Sequence, residues 1–127
     1  MERKRSITID EHGDVKVVNL VGAHDLANAA EIREQFDSCL ASGDGLVVSL
    51  METEFLDSSV MLLLFDADKR LRARERRLVL HVATASIVAR VLDISGLKAE
   101  VPCAGSLEVA VDLARRAAAA EAQWSSK

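Results

Sequence analysis

The strongest constraint on this 127-residue chain is an alternation between two periodicities. The short apolar runs Leu46-Val47-Val48-Ser49-Leu50 and Leu78-Val79-Leu80-His81-Val82 have strand length, and their lack of polar alternation suits strands covered on both faces. Between and around them the apolar residues recur every three or four positions, which is the signature of helices with one inward stripe. Leu26, Ala29, Ile32, Phe36 and Leu40 form the first such row, running to Ala41 and stopped by Ser42-Gly43-Asp44-Gly45. A second helix starts at Asp57-Ser58-Ser59, ahead of Val60-Met61-Leu62-Leu63-Leu64-Phe65, and should reach about Arg76. A third spans Ser86 to Ile94, closed by Gly96 at the C′ position. Leu97 to Val101 reads as a final short strand before Pro102. Ser106 then opens the last helix, with Leu107, Val111, Leu113 and Ala114 inward, running into Ala117-Ala118-Ala119-Ala120.

Ahead of these lies a hairpin: Ile7 to Asp10 and Val15 to Val21 alternate as strands around the polar turn Glu11-His12-Gly13-Asp14. The predicted order is ββαβαβαβα, an α/β class chain. Strand-helix-strand units demand parallel pairing with right-handed crossovers. The sheet is therefore expected to be mixed, an antiparallel N-terminal hairpin plus a parallel portion covered by about four helices. Residues 1–127 read as one domain, its core about 7–115, with 116–127 an Ala-rich helical and polar tail. In such sheets sites lie beyond the carboxyl ends of the parallel strands, where Asp57-Ser58-Ser59 stands.

Composition removes several functions. With 16 Lys+Arg against 20 Asp+Glu the net charge is −4, which argues against a domain built to neutralise nucleic-acid phosphates. The apolar run from Val60 to Phe65 is far short of the roughly 20 residues of a membrane span. Met1-Glu2-Arg3-Lys4-Arg5 leads into a short alternating strand rather than a long apolar segment, so no signal peptide is read and a cytoplasmic location is expected. Cys39 shares the inward row of Ala29, Ile32 and Phe36, and neither it nor Cys103 has a second Cys or a His at metal-ligand spacing. His12, His24 and His81 are scattered. No metal, cofactor or disulfide is expected.

Five ordered pieces carry a resemblance: Leu20-Val21-Gly22-Ala23-His24-Asp25-Leu26, Val47-Val48-Ser49-Leu50, Phe55-Leu56-Asp57-Ser58-Ser59-Val60, Val91-Leu92-Asp93-Ile94-Ser95-Gly96-Leu97 and Ser106-Leu107-Glu108-Val109-Ala110. Together, over about residues 7 to 115, they resemble the STAS family, and within it the anti-sigma factor antagonists. The resemblance implies a STAS-like fold and a non-catalytic switch. An anti-sigma factor with serine kinase activity would phosphorylate Ser58 and bind only the unmodified form, releasing a sigma factor; a phosphatase would reset the cycle. It further implies partner contacts from His24, Asp25, Asp57, Ser58, Ser59 and Val60. Two segments depart from the family pattern. Val60 stands where the family has Gly, setting a β-branched side chain beside the acceptor hydroxyl. Gly22-Ala23-His24-Asp25 replaces Gly-Glu-Leu-Asp.

The residues agree with a switch on their own terms. A phosphate on the first turn of a helix meets unpaired N–H groups and the positive end of the dipole, so the domain can carry it. Its charge of about −1.5 to −2 would be felt by a docked partner instead. From Asp25 to Asp57 there are eight acids and one base, a net of −7, whereas Lys69 to Arg77 carries six bases and Glu75, a net of +5. The basic stretch has no interleaved aromatics and reads as the outer face and C-terminal end of a helix. The alternative is an unphosphorylated STAS scaffold or accessory domain that binds a transporter subunit, a signalling complex or a small ligand. An enzyme with Ser58 as nucleophile lacks a GxSxG elbow, and no spacing brings His24 or His81 to it. Trp124, in the tail, offers a contact for a partner or a second copy; a homo-oligomer is neither required nor excluded by these residues.

Overall fold

The computed structural model describes residues 4–42 and 45–115. Strands β1 (Ser6–His12) and β2 (Val15–His24) form the expected hairpin, paired antiparallel from Ser6↔Val21 to His12↔Val15. A 3-10 turn (Leu26–Asn28) then feeds α1 (Ala29–Ala41). There follow β3 (Gly45–Ser49), β4 (Thr53–Leu56), α2 (Ser58–Arg72), β5 (Leu78–His81), α3 (Ile87–Ile94), α4 (Leu97–Glu100) and β6 (Cys103–Ala104). A last helix, α5, covers residues 107–115. The order across the six-stranded sheet is β1-β2-β3-β5-β6, with β4 paired to β2. All pairings but the hairpin are parallel, as the crossover argument requires.

Each face of this sheet has its own core. Val18, Leu20, Leu46, Val48, Leu78 and Leu80 point to the side where α1, α2 and α3 contribute Ile32, Phe36, Leu64 and Leu92. Val15, Val17, Val47 and Val79 point the other way, against Ala110, Val111 and Ala114 of α5. Alternate residues of one strand thus serve opposite layers, which is why β3 is apolar at nearly every position. Cys39 is buried in the larger core, as its row predicted, and burial pushes its thiol up from the ordinary range. No helix among the described residues is long and apolar enough to cross a membrane.

The first helix starts at Ala29 and leaves Leu26, expected in its inward row, exposed in the 3-10 turn ahead of it, and α2 ends at Arg72 rather than near Arg76. Two segments also change class. Residues 52–56 were not expected as a strand, yet Thr53–Leu56 forms β4. It continues β3 along the same edge of β2 after the turn at 50–52. The pairing Asn19↔Ser49 gives way to Gly22↔Thr53 and then Ala23↔Phe55, so β4 gains residues on β2 through a bulge. Gly22, at φ +88, accommodates that irregularity. Leu97 to Val101, expected as a strand, is instead the single turn α4, and β6 lies beyond Pro102. Gly96 at φ +86 stops α3 as predicted but also re-aims the chain, so Leu97 and Val101, four apart, sink into the core from one side of a turn. The Pro102 carbonyl accepts from Leu80 N–H at 2.9 Å, and strand pairing begins there.

The basic stretch is spent on bracing. Arg70 pairs with Asp37 of α1 at 2.6 Å, and Arg74 donates to the Leu40 carbonyl at the end of the same helix. Arg72 and Arg77 both donate to the Glu100 carbonyl, at 2.6 and 3.2 Å, closing the C-terminus of α4. Asp68, on the inner side of α2, was not singled out from the sequence. It is buried and bonded to Arg72 at 3.1 Å through Oδ2, while burial raises its carboxyl above the usual range. The Ala-rich tail and Trp124 lie outside the described residues.

Candidate functional site

Asp57 organises the region the sequence singled out. It is the N-cap of α2, in an extended conformation, and its Oδ1 accepts from Ser59 N–H at 3.0 Å and Val60 N–H at 3.3 Å. The Ser59 hydroxyl donates to the same oxygen at 2.5 Å. Oδ2 turns the other way and accepts from Leu26 N–H at 3.0 Å. One carboxylate therefore caps a helix and clamps the loop that follows β2. The Ser59 hydroxyl, followed by the backbone N–H groups, holds the Asp57 carboxyl below the usual carboxylate range, so it is an anion at neutral pH.

The clamped loop is a capping box. Asp25 accepts from Ala27 N–H through Oδ1 at 2.9 Å, and Asp25 N–H donates to Asn28 Oδ1 at 2.9 Å. Beneath it lies His24, fully buried, with Nε2 2.9 Å from the Val21 carbonyl oxygen and Nδ1 against the Asn28 side-chain amide. Asp57 N–H also donates to the His24 carbonyl at 3.3 Å. Two loops far apart in sequence are thus one unit at the carboxyl ends of the parallel strands β2 and β4.

Four of the six singled-out residues reach the surface here. Ser58 is exposed, and Asp25, Asp57 and Ser59 are half-buried. The other two are corrected by the structure: the side chains of His24 and Val60 are both 0 % exposed and cannot touch a partner in this conformation. Val60 belongs to the main core, because the third position of α2 faces the sheet, so its β-branch does not crowd the surface around the Ser58 hydroxyl. Among the described residues, the hydrogen bonds of this web run through Asp57, Ser59, Val60 and Leu26 and leave the Ser58 hydroxyl outside it.

Ser58 also borders an apolar groove of about 250 Å³, lined by Leu56, Asp57, Ser58, Met61, Val91, Ile94 and Ser95. Its α3 wall carries Ile94 at 79 % exposure and continues to Ile87 at 80 %, with Phe55 of β4 at 51 %. Leu26 and Leu62, 74 % and 68 % exposed, add apolar surface near the same end of α2. Exposed apolar side chains gathered in this way mark an interaction surface. The sequence reading missed this wall, although the α3 run is more apolar than an inward stripe alone requires. Among the described residues no group of three or more His, Cys, Asp or Glu could hold a metal ion. The acidic run does not all gather at Ser58, since Asp37 is paired with Arg70.

The chain is similar in fold to solved anti-sigma factor antagonists. A crystal structure of one from Mycobacterium paratuberculosis superposes with a TM-score of 0.78 at 22 % identity, covering 88 % of this chain and 95 % of that one. The anti-sigma factor antagonist SpoIIAA in its unphosphorylated form gives 0.68 at 20 % identity, covering 87 % and 98 %. The Bacillus cell fate determinant SpoIIAA in its phosphorylated form gives 0.66 at 23 % identity, covering 84 % and 97 %. No curated protein sequence matches the chain. The STAS domain family model matches residues 6–110, from the first strand into the last helix. By that match, and with the mixed sheet and the Asp57-capped α2 in place, the chain belongs to the STAS domain family.

Proposed function

We propose that this chain is an anti-sigma factor antagonist: it binds an anti-sigma factor with serine kinase activity, and phosphorylation of Ser58 ends that binding. One observation carries the reading. The exposed Ser58 hydroxyl lies in the first turn of α2, on the rim of an apolar groove and next to the Asp57 carboxylate. The docking face comprises Asp25, Asp57, Ser58, Ser59 and the groove, while His24 and Val60 support it from inside.

The chemistry is a phosphoryl transfer done to this chain, not by it. The kinase moves the γ-phosphoryl group of ATP to Ser58 Oγ, forming a P–O bond as the anhydride bond breaks and the hydroxyl proton leaves. The phosphate adds about −1.5 to −2 charge beside a carboxylate already kept ionised. Apolar partner atoms seated in the groove would then border a dianion and lose binding. A phosphatase restores the hydroxyl. The output is transcriptional, through a sigma factor released in the cytoplasm. A Val60 side chain crowding the Ser58 hydroxyl would favour the unphosphorylated scaffold, and the buried position of Val60 removes that crowding.

The test is to incubate the chain with ATP and the kinase-type anti-sigma factor of the same genome, then weigh it intact. The expected result is one added phosphoryl group that Ser58→Ala does not acquire. An unchanged mass would favour the scaffold.

A further inference from the structure

His24 has a job inside the site that its burial dictates. The ring is 0 % exposed and bonded at both nitrogens: Nε2 lies 2.9 Å from the Val21 carbonyl oxygen and Nδ1 meets Asn28 Nδ2. The Asn28 amide has no freedom to turn over, because its Oδ1 accepts from Asp25 N–H at 2.9 Å. Its NH2 end must therefore donate to His24 Nδ1, and the single imidazole proton sits on Nε2, donated to Val21. Only the neutral ring fits. A second proton on Nδ1 would set one donor against another. Turning the amide relieves that contact only by aiming its NH2 at Asp25 N–H, so either response breaks the capping box.

We propose that His24 is a proton-operated latch on the 25–28 turn: neutral, it holds the turn against β2, and protonated, it releases the Asp25 and Leu26 side of the docking face. The charges acting on the ring are Arg5 ahead of β1, which opposes a proton, and Asp25 of the turn and Glu31 of α1, which favour one; β4 pairs the residue with Leu56. Burial outweighs them and sets the imidazole below its ordinary value. In the opened turn the ring returns to about 6.5. The closed turn is thus fully favoured above about 6.5 and loses ground as pH falls towards the lower, closed-state value, by at most about tenfold per pH unit within that window.

The opening itself is independent of the proposed function; only its effect on a partner rests on that reading. The experiment is NMR on the whole chain between about pH 8 and about pH 5, at fixed ionic strength. Ring nitrogen shifts should show the Nε2–H tautomer at the alkaline end. Corrected exchange protection of the Asp25 and Ala27 amides should fall as pH drops below about 6.5, by at most about tenfold per pH unit, with Val48 in β3 unchanged. His24→Leu should abolish the pH dependence; should that variant not fold, the ring shifts and exchange of the native chain decide. Constant protection, an equal fall in His24→Leu, or an Nδ1–H tautomer would overturn the latch. Binding to the anti-sigma factor, measured in parallel, separates the two claims. Lost protection with unaltered binding supports the latch and removes the turn from the docking face. Lost binding with intact protection does the reverse.

Discussion

The Leu26 N–H donates to Asp57 Oδ2 at 3.0 Å across 31 positions of sequence, while Asp57 Oδ1 caps α2. The two loops of the proposed docking face are therefore joined through one carboxylate. A change at either loop is felt at the other.

Asp57→Asn keeps the capping oxygen but replaces Oδ2 with an NH2 that cannot accept from Leu26. Hydrogen exchange at Leu26 should rise in this variant while the amides of Ser59 and Val60 stay protected. Asp57→Ala loses both roles and should cost about 1 kcal/mol or more in urea unfolding. Because the Asp57 carboxyl is held below its ordinary value when folded, its contribution to stability is complete above about pH 4. It is lost as pH falls through the lower folded value. The stability difference between native and Asp57→Ala should shrink below about pH 4.

Ile94→Asp tests the groove. Ile94 is 79 % exposed, so the substitution should change stability by no more than about 0.5 kcal/mol. Calorimetry against the anti-sigma factor should nevertheless show at least about a tenfold loss of affinity, about 1.4 kcal/mol, because a charge enters an apolar contact that the partner would desolvate. Unchanged affinity would remove α3 from the proposed docking face.

Leu64 of α2 is fully buried in the larger core. Leu64→Ala should cost about 2–5 kcal/mol in chemical denaturation, from lost burial and the cavity left behind.

Cys39 is 3 % exposed and its thiol is pushed up by burial, so little thiolate exists near neutral pH. Alkylation should proceed at the rate of opening and accelerate sharply in denaturant, whereas the more accessible Cys103 should react first.

Much of this architecture is legible in the residues because short-range patterns decide it. The hairpin of β1 and β2, the inward row from Ile32 to Leu40, and Asp57 ahead of an apolar run all survive into the structure. Where the reading failed, tertiary contacts decided. Residues 53–56 have two exposed positions between two buried ones, and only the bulged edge of β2 makes them a strand. Leu97 and Val101 suit a strand or a helical turn equally, and the Gly96 conformation selects the turn. Val60 and His24 neighbour the acceptor in sequence or motif, but side-chain direction sends both inward. The α3 wall was hidden because an apolar helix face looks the same in sequence whether it meets the core or a partner.

In the proposed switch, one phosphoryl group at Ser58 decides whether the partner stays bound. The most direct measurement is the affinity of the anti-sigma factor for the unmodified chain and for the Ser58-phosphorylated chain, each verified by intact mass. The complex of the phosphorylated form should be at least about tenfold weaker. Equal affinities would contradict it.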